Sequence, residues 1–149
     1  MLIRNMESSD YDSVYRLWLN TPGMSLNTLD DSRQVIERYL SRNPTTCFVA
    51  EQEGEIVGVI LSGHDGRRGF IYHLAVRLEE RKQGIGTALV ERSLEALYAE
   101  GIGKVALFVF KNNEIGNHFW AKCGFAERED LVYRDKNIRE FVIIETPLA

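Results

Sequence analysis

Residues 81–87, Arg81-Lys82-Gln83-Gly84-Ile85-Gly86-Thr87, constrain the fold more than any other stretch of this chain. An apolar run from Phe70 to Val76 precedes them. An amphipathic pattern follows, in which Ile85, Leu89, Val90, Leu94, Ala96 and Leu97 share one broad face and Glu91, Arg92 and Glu95 lie opposite. The order is therefore strand, basic glycine-rich turn, helix. The first N–H groups of a helix have no partner within it, and the positive end of the helix dipole lies there too. Such a turn suits a phosphate group. Gly84 and Gly86 permit positive-φ geometry and a close approach of backbone to ligand. The phosphate is not that of a P-loop, because no Lys-Ser or Lys-Thr follows the glycines. A dinucleotide turn needs a third small residue at position 89, which is Leu89.

The rest of the chain reads as a single α+β domain, residues 1–149, with helices on both faces of a mixed sheet. Leu2–Arg4 opens it as a strand. Val14, Leu17 and Trp18 mark a helix over about 10–20, closed by Thr21-Pro22-Gly23. Asp30-Asp31-Ser32 starts a second helix, with Val35, Ile36, Tyr39 and Leu40 on one face. Residues 46–51 and 55–62 form a hairpin around Glu53-Gly54. Strands follow over 69–77 and 104–110, a helix over 114–123, and strands over 125–129 and 139–146.

A net charge of −4 argues against general nucleic-acid binding and mildly favours a cationic substrate. No apolar run approaches the ~20 residues of a membrane span, and Glu7 and Asp10 interrupt any leader-like apolar region. Cys47 and Cys123 make no disulfide framework, so the expectation is a cytoplasmic protein. His64 and His118 are too isolated to suggest a metal site.

The pattern R-x-x-G-x-G at Arg81–Gly86 resembles motif A of the GNAT superfamily, the acyl-CoA-dependent N-acetyltransferases. The resemblance extends to Leu107-Phe108-Val109-Phe110, Asn112-Asn113-Glu114 and Phe119-Trp120-Ala121-Lys122-Cys123-Gly124-Phe125. Upstream it includes the hairpin Phe48–Glu51 and Glu53–Gly58. Gly63–Gly69 is similar to the small bacterial YpeA-type group. The resemblance implies that the backbone amides of Gln83, Gly84, Ile85, Gly86 and Thr87 hold the pyrophosphate of acetyl-CoA. Arg81 and Lys82 add positive charge nearby. The strands over 69–77 and 104–110 splay apart, and the backbone of Leu74, Ala75 and Val76 pairs with the pantetheine arm. One N–H of that strand faces the thioester oxygen, where charge develops. Asn113 helps to hold the arm, though its position equally suits a helix cap.

The catalytic groups are less determined. An alkyl ammonium has a pKa of about 10, so a proton must leave before attack. Many relatives use a carboxylate on the strand corresponding to 69–77, and this strand has none. Its candidates are Tyr72 and His73, on opposite faces by strand alternation. A structural role suits either residue as well. Many relatives carry a Tyr acid at position 120, where this chain has Trp120, whose indole is no general acid. Trp120 then stacks on the cofactor arm or fills core. Tyr133, water or an unprotonated thiolate takes the acid's place. Cys123 has no activating base and reads as structural. The acceptor site falls to the two N-terminal helices and their connector, with Trp18, Met24, Asp30 and Asp31 shaping it.

The expected activity is direct acetyl transfer to a primary amine, on a small molecule or peptide, with no metal. A homodimer is compatible with this class. The competing expectations are a non-catalytic acyl-CoA sensor and a nucleotide-binding protein.

Overall fold

The computed structural model describes residues 1–148. A short strand β1 (Leu2–Asn5) leads through a single 3-10 turn into α1 (Tyr11–Leu19). The connector forms β2 (Ser25–Asn27) and enters α2 (Arg33–Arg42), whose cap is Ser32, accepting from the Val35 N–H. Then come β3 (Phe48–Gln52), β4 (Glu55–Ile60), β5 (Ser62–His64), β6 (Gly69–Ile71) and β7 (Ala75–Val76). Helix α3 (Ile85–Ala99), β8 (Val105–Leu107), α4 (Glu114–Lys122) and β9 (Ile143–Glu145) complete the chain.

The hairpin forms where the sequence places it. Glu53 (φ 51°) and Gly54 (φ 80°) both sit at positive φ, as a tight two-residue hairpin turn demands. The sheet order is β1-β3-β4-β7, all antiparallel, and β5-β6-β8, where β6 and β8 run parallel. Only Leu61 separates β4 from β5, and residues 72–74 separate β6 from β7. The two sheets therefore share continuous runs of chain, tied where Tyr72 N–H donates to Leu61 C=O at 2.9 Å.

Alternating side chains load both faces. Val49, Val59, Leu61 and Ala75 pack with Val14, Trp18, Ile36 and Leu40 of α1 and α2. Phe48, Ala50, Ile60 and Ile71 pack with Ile85, Leu89 and Val90 of α3, with Phe119 of α4 against them. The expected mixed sheet with helices on both faces is what forms. The register shifts between Ala50 and Glu51, leaving Val57 without a partner, and this bulge puts Val57 and Val59 on opposite faces.

Several expectations change. The strand expected over 69–77 breaks at residues 72–74, because its first half pairs with β5 and β8 and its second half with β4. Strand alternation fails at that break, so Tyr72 and His73 do not take opposite faces: Tyr72 meets Tyr39 of α2 and His73 meets Trp18 of α1. No strand forms over 125–129. The run Glu127-Arg128-Glu129-Asp130 offers no apolar alternation to bury, and Arg128 pairs with Asp130 at 2.8 Å instead. The last expected strand is real but short, and its partner is β2 in the helix connector, with Leu26 opposite Ile144.

Candidate active site

The loop before α3 exposes a run of free donors. Among the described residues, no backbone acceptor is taken by the N–H groups of Lys82, Gln83, Gly84, Ile85, Gly86 or Thr87. The helix ladder resumes where Ala88 N–H donates to Gly84 C=O. Gly84 is the cap residue, at φ 80°, and nothing lies within 4 Å of where a Cβ would stand. Gly86 is different. It lies inside the helix and needs no positive φ; a Cβ there would meet the Phe119 ring at 3.3 Å. It is glycine so that α4 can pack close to the loop. Lys82 holds φ 65°, a left-handed conformation rare for a side-chain-bearing residue, and this turns the chain into the helix. Arg81 and Lys82 are exposed. Arg81 Nε lies 3.4 Å from the Val76 carbonyl, which ties the loop back to β7.

The strands beside the loop part, as the resemblance implies, and the strand expected over 104–110 ends at Leu107. β6 and β8 are paired from Gly69/Val105 to Ile71/Leu107 and no further. Beyond that point β7 turns to β4, through Val76/Gly58 and Ala75/Val59. Among the described residues the amides of His73 and Leu74, and those of Val109 and Phe110, find no backbone acceptor. The result is a wedge-shaped opening with unpaired backbone on both lips, an edge of the kind that accepts a polar chain in extended form.

The lips carry the candidate catalytic side chains. His73 Nε2 lies 2.6 Å from Asp31 Oδ1, with side-chain exposures of 12% and 4%. The Trp18 ring meets the imidazole edge-on at 4.9 Å. Asp31 is itself anchored: its Oδ2 accepts from the Asn27 N–H at 2.8 Å, and its carbonyl accepts from the Tyr11 hydroxyl. Burial pushes that Tyr11 hydroxyl up to about 12. The pairing spans 42 positions in the chain, and no local spacing announces it.

A strip of aromatic rings runs across the opening. Phe70 meets Tyr72 at 4.6 Å and Phe108 at 4.8 Å, and Phe108 meets Tyr133 at 4.4 Å. Tyr72, Phe108 and Tyr133 are each more than half exposed. Burial, then Asp30, raises the Tyr72 phenol, and the neighbouring Asp135 carboxylate raises Tyr133. Both are held as neutral phenols. Tyr133 thus reaches the lip formed by the end of β8, from a segment with no regular structure.

Other expected site residues take more structural places. Asn113 caps α4, its Oδ1 accepting from Gly116 N–H at 3.0 Å. Trp120 is partly buried and packs edge-on between Phe119 and Phe125, at 5.2 and 5.1 Å. Trp18 is fully buried and Met24 nearly so, which corrects their expected place on the acceptor surface. They support that wall from behind, because α1 and the connector bury their apolar side against the sheet. Asp30 is exposed beside them, bonded to the Asn27 side chain. Burial pushes the Cys47 thiol up to about 12 and raises Cys123 as well, so neither is a ready nucleophile.

The free loop amides on the α3 side of the sheet and the buried carboxylate–imidazole pair on the α1 side flank the open strand edge between them, an arrangement suited to acyl transfer. The family model for the acetyltransferase (GNAT) family matches residues 11–125, and the chain belongs to that family. It is similar to an acetyltransferase of Photorhabdus laumondii, 36% identical over 132 residues that cover 86% of this chain and 88% of the relative. Ard1 from Thermoplasma volcanium matches its structure with a TM-score of 0.72 at 25% identity, over 84% of this chain and 82% of that one. The PaiA N-acetyltransferase of Thermoplasma acidophilum, determined in complex with coenzyme A, matches the fold at 0.73 and 16% identity, over 97% and 98% of the two chains. The chain is therefore an acetyltransferase.

Proposed function

We propose that this protein transfers an acetyl group from acetyl-CoA to a primary amine, by direct attack with both substrates bound. The observation that carries this is the run of free N–H groups from Lys82 to Thr87, next to an unpaired strand edge. The residues fit the donor. The six amides and the Gly84 cradle take the pyrophosphate, and the space over Gly84 admits it. The lips at Leu74–Val76 and Phe108–Phe110 take the pantetheine amides. Acetyl-CoA supplies an activated thioester, and the chain's own groups position the amine against it. The raised thiols of Cys47 and Cys123 support direct attack over an acyl-enzyme route. The acceptor approaches over Asp30 and the Tyr72–Phe108–Tyr133 strip. A carboxylate and aromatic faces attract a cation together, so the acceptor is a charged amine on a small molecule or a peptide. Two unbridged cysteines fit a reducing cytoplasm.

Calorimetric titration with acetyl-CoA, beside ATP and NAD, tests the first half of this proposal. Binding of acetyl-CoA alone, in the micromolar range, is the expected result. A folded protein that ignores acetyl-CoA refutes it.

A further inference from the structure

His73 and Asp31 form a pair that the acetyl-transfer reading does not by itself require. Two features of Asp31 make the pair directional. Its Oδ2 is taken by the Asn27 N–H, which leaves Oδ1 to face His73 Nε2 at 2.6 Å. An ionised carboxylate can only accept, so the hydrogen between them belongs to Nε2. The imidazole is then the Nε2–H tautomer, with its lone pair on Nδ1. Among the described residues Nδ1 has no hydrogen-bond partner, and the side chain keeps 12% exposure. It lies in the 72–74 break, where the strand edge opens.

We propose that Asp31 is a positioning residue that holds His73 in this tautomer, so that Nδ1 takes the proton of the incoming ammonium. The inference rests on the acetyl-transfer reading for its second half only. One ammonium proton passes to Nδ1 and on to water. The freed nitrogen pair forms the C–N bond as C–S breaks, and the second nitrogen proton goes to the departing thiolate. The imidazolium formed on the way keeps its Nε2–H on the Asp31 carboxylate, which offsets its charge in a mostly buried place. The other ionisable groups around it are the Tyr72 phenol, whose ring lies 6.4 Å away, Asp30 beside Tyr72, and the Tyr11 hydroxyl bonded to the Asp31 carbonyl.

Asp31→Asn gives a sharp test because the Asn27 N–H dictates how the amide must lie. Its oxygen has to face that N–H, so its NH2 faces Nε2 and donates. The tautomer inverts, and Nδ1 becomes the protonated nitrogen. Nitrogen-15 correlation spectra of the resting protein read this without any substrate, with the His73 signal assigned by His73→Gln. The expected wild-type pattern is pyridine-type nitrogen at Nδ1 and pyrrole-type at Nε2, reversed in Asp31→Asn. Turnover is followed by thiol release from acetyl-CoA with spermidine, kanamycin, phenethylamine and a peptide with a free N-terminus and one lysine.

Loss of a positioned base costs about 10²–10⁴ in kcat. Both variants should lose that much at neutral pH while the KM for acetyl-CoA stays unchanged. A wild-type His73 with its hydrogen on Nδ1 overturns the proposal, whatever the variants do. So does an Asp31→Asn protein that keeps the wild-type rate and pH profile. If wild type acetylates none of these amines, the acetyl-transfer reading and the base role fall together; the tautomer, read separately, still decides the Asp31 lock.

Discussion

At the residue scale the buried charges divide into two kinds. Arg4 sits between Asp10 and Glu51, 2.8 Å from each, and serves the fold alone. Burial by itself raises the Asp10 carboxyl, but the Arg4 guanidinium and the Glu7 N–H overcome that and hold it below its usual value. A depressed carboxylate contributes stability that is present above its unfolded pKa of about 3.9 and is lost as pH falls through the folded value. Asp10→Asn should therefore cost stability at pH 7 and flatten the acid limb of unfolding below about pH 4. Urea unfolding at stepped pH measures this, and an unchanged acid limb would show that the ion pair contributes nothing there. Asp31 and His73 are the second kind, a pair held at the opening rather than within a structural network. Each was legible in the sequence as a candidate, His73 for its chemistry and Asp31 as part of the connector. Their union was not, because it depends on how α1 and the connector fold over the strand break.

At the element scale the strand–turn–helix around Gly84 was the most legible part, since the apolar period and the glycines act locally. The break at residues 72–74 was not legible. Phe70–Val76 is evenly apolar, and only the competition between two sheets for its amides splits it. That competition has a measurable consequence. The amides of Ile71 and Ala106 donate within the parallel ladder, whereas those of His73, Leu74, Val109 and Phe110 have no backbone acceptor among the described residues. Hydrogen exchange should be slow at the first pair and fast at the others, because exchange follows local opening. On saturation with coenzyme A, the amides that pair with the pantetheine arm should slow, while those of the ladder hold steady. Unaltered exchange along both lips, with the ligand bound, would place the arm elsewhere. The missing strand at 125–129 has a plainer cause: it was expected from its place in the order of elements, but the charged run Glu127–Asp130 has nothing to bury.

At the scale of the whole molecule, the two hydrophobic layers meet the ligand site from opposite sides, so binding and folding are coupled. α3 carries the free amides of the Gly84 loop at its start and also buries Ile85, Leu89 and Val90. α1 and the connector carry the Asp31 wall and also bury Val14, Trp18 and Met24. A ligand that binds only the folded state at about 100 times its Kd adds about 2.7 kcal/mol, which for a chain of this size is a rise in Tm of about 5–11 °C. Gly84 separates this from any effect on folding. A side chain in its left-handed conformation costs about 1–2 kcal/mol, and Gly84→Ala should lower the Tm of the free protein by that strain. Gly84→Glu should lower it similarly, because no atom stands near the new Cβ. The two variants should part only when acetyl-CoA is added. The alanine variant should recover much of the shift, and the glutamate variant none, since its carboxylate repels the phosphates from their cradle. Thermal melts of the three proteins with and without acetyl-CoA decide it. An equal shift in Gly84→Glu and wild type would remove the phosphates from the loop, and with them the basis for acyl-CoA recognition at this end of the sheet.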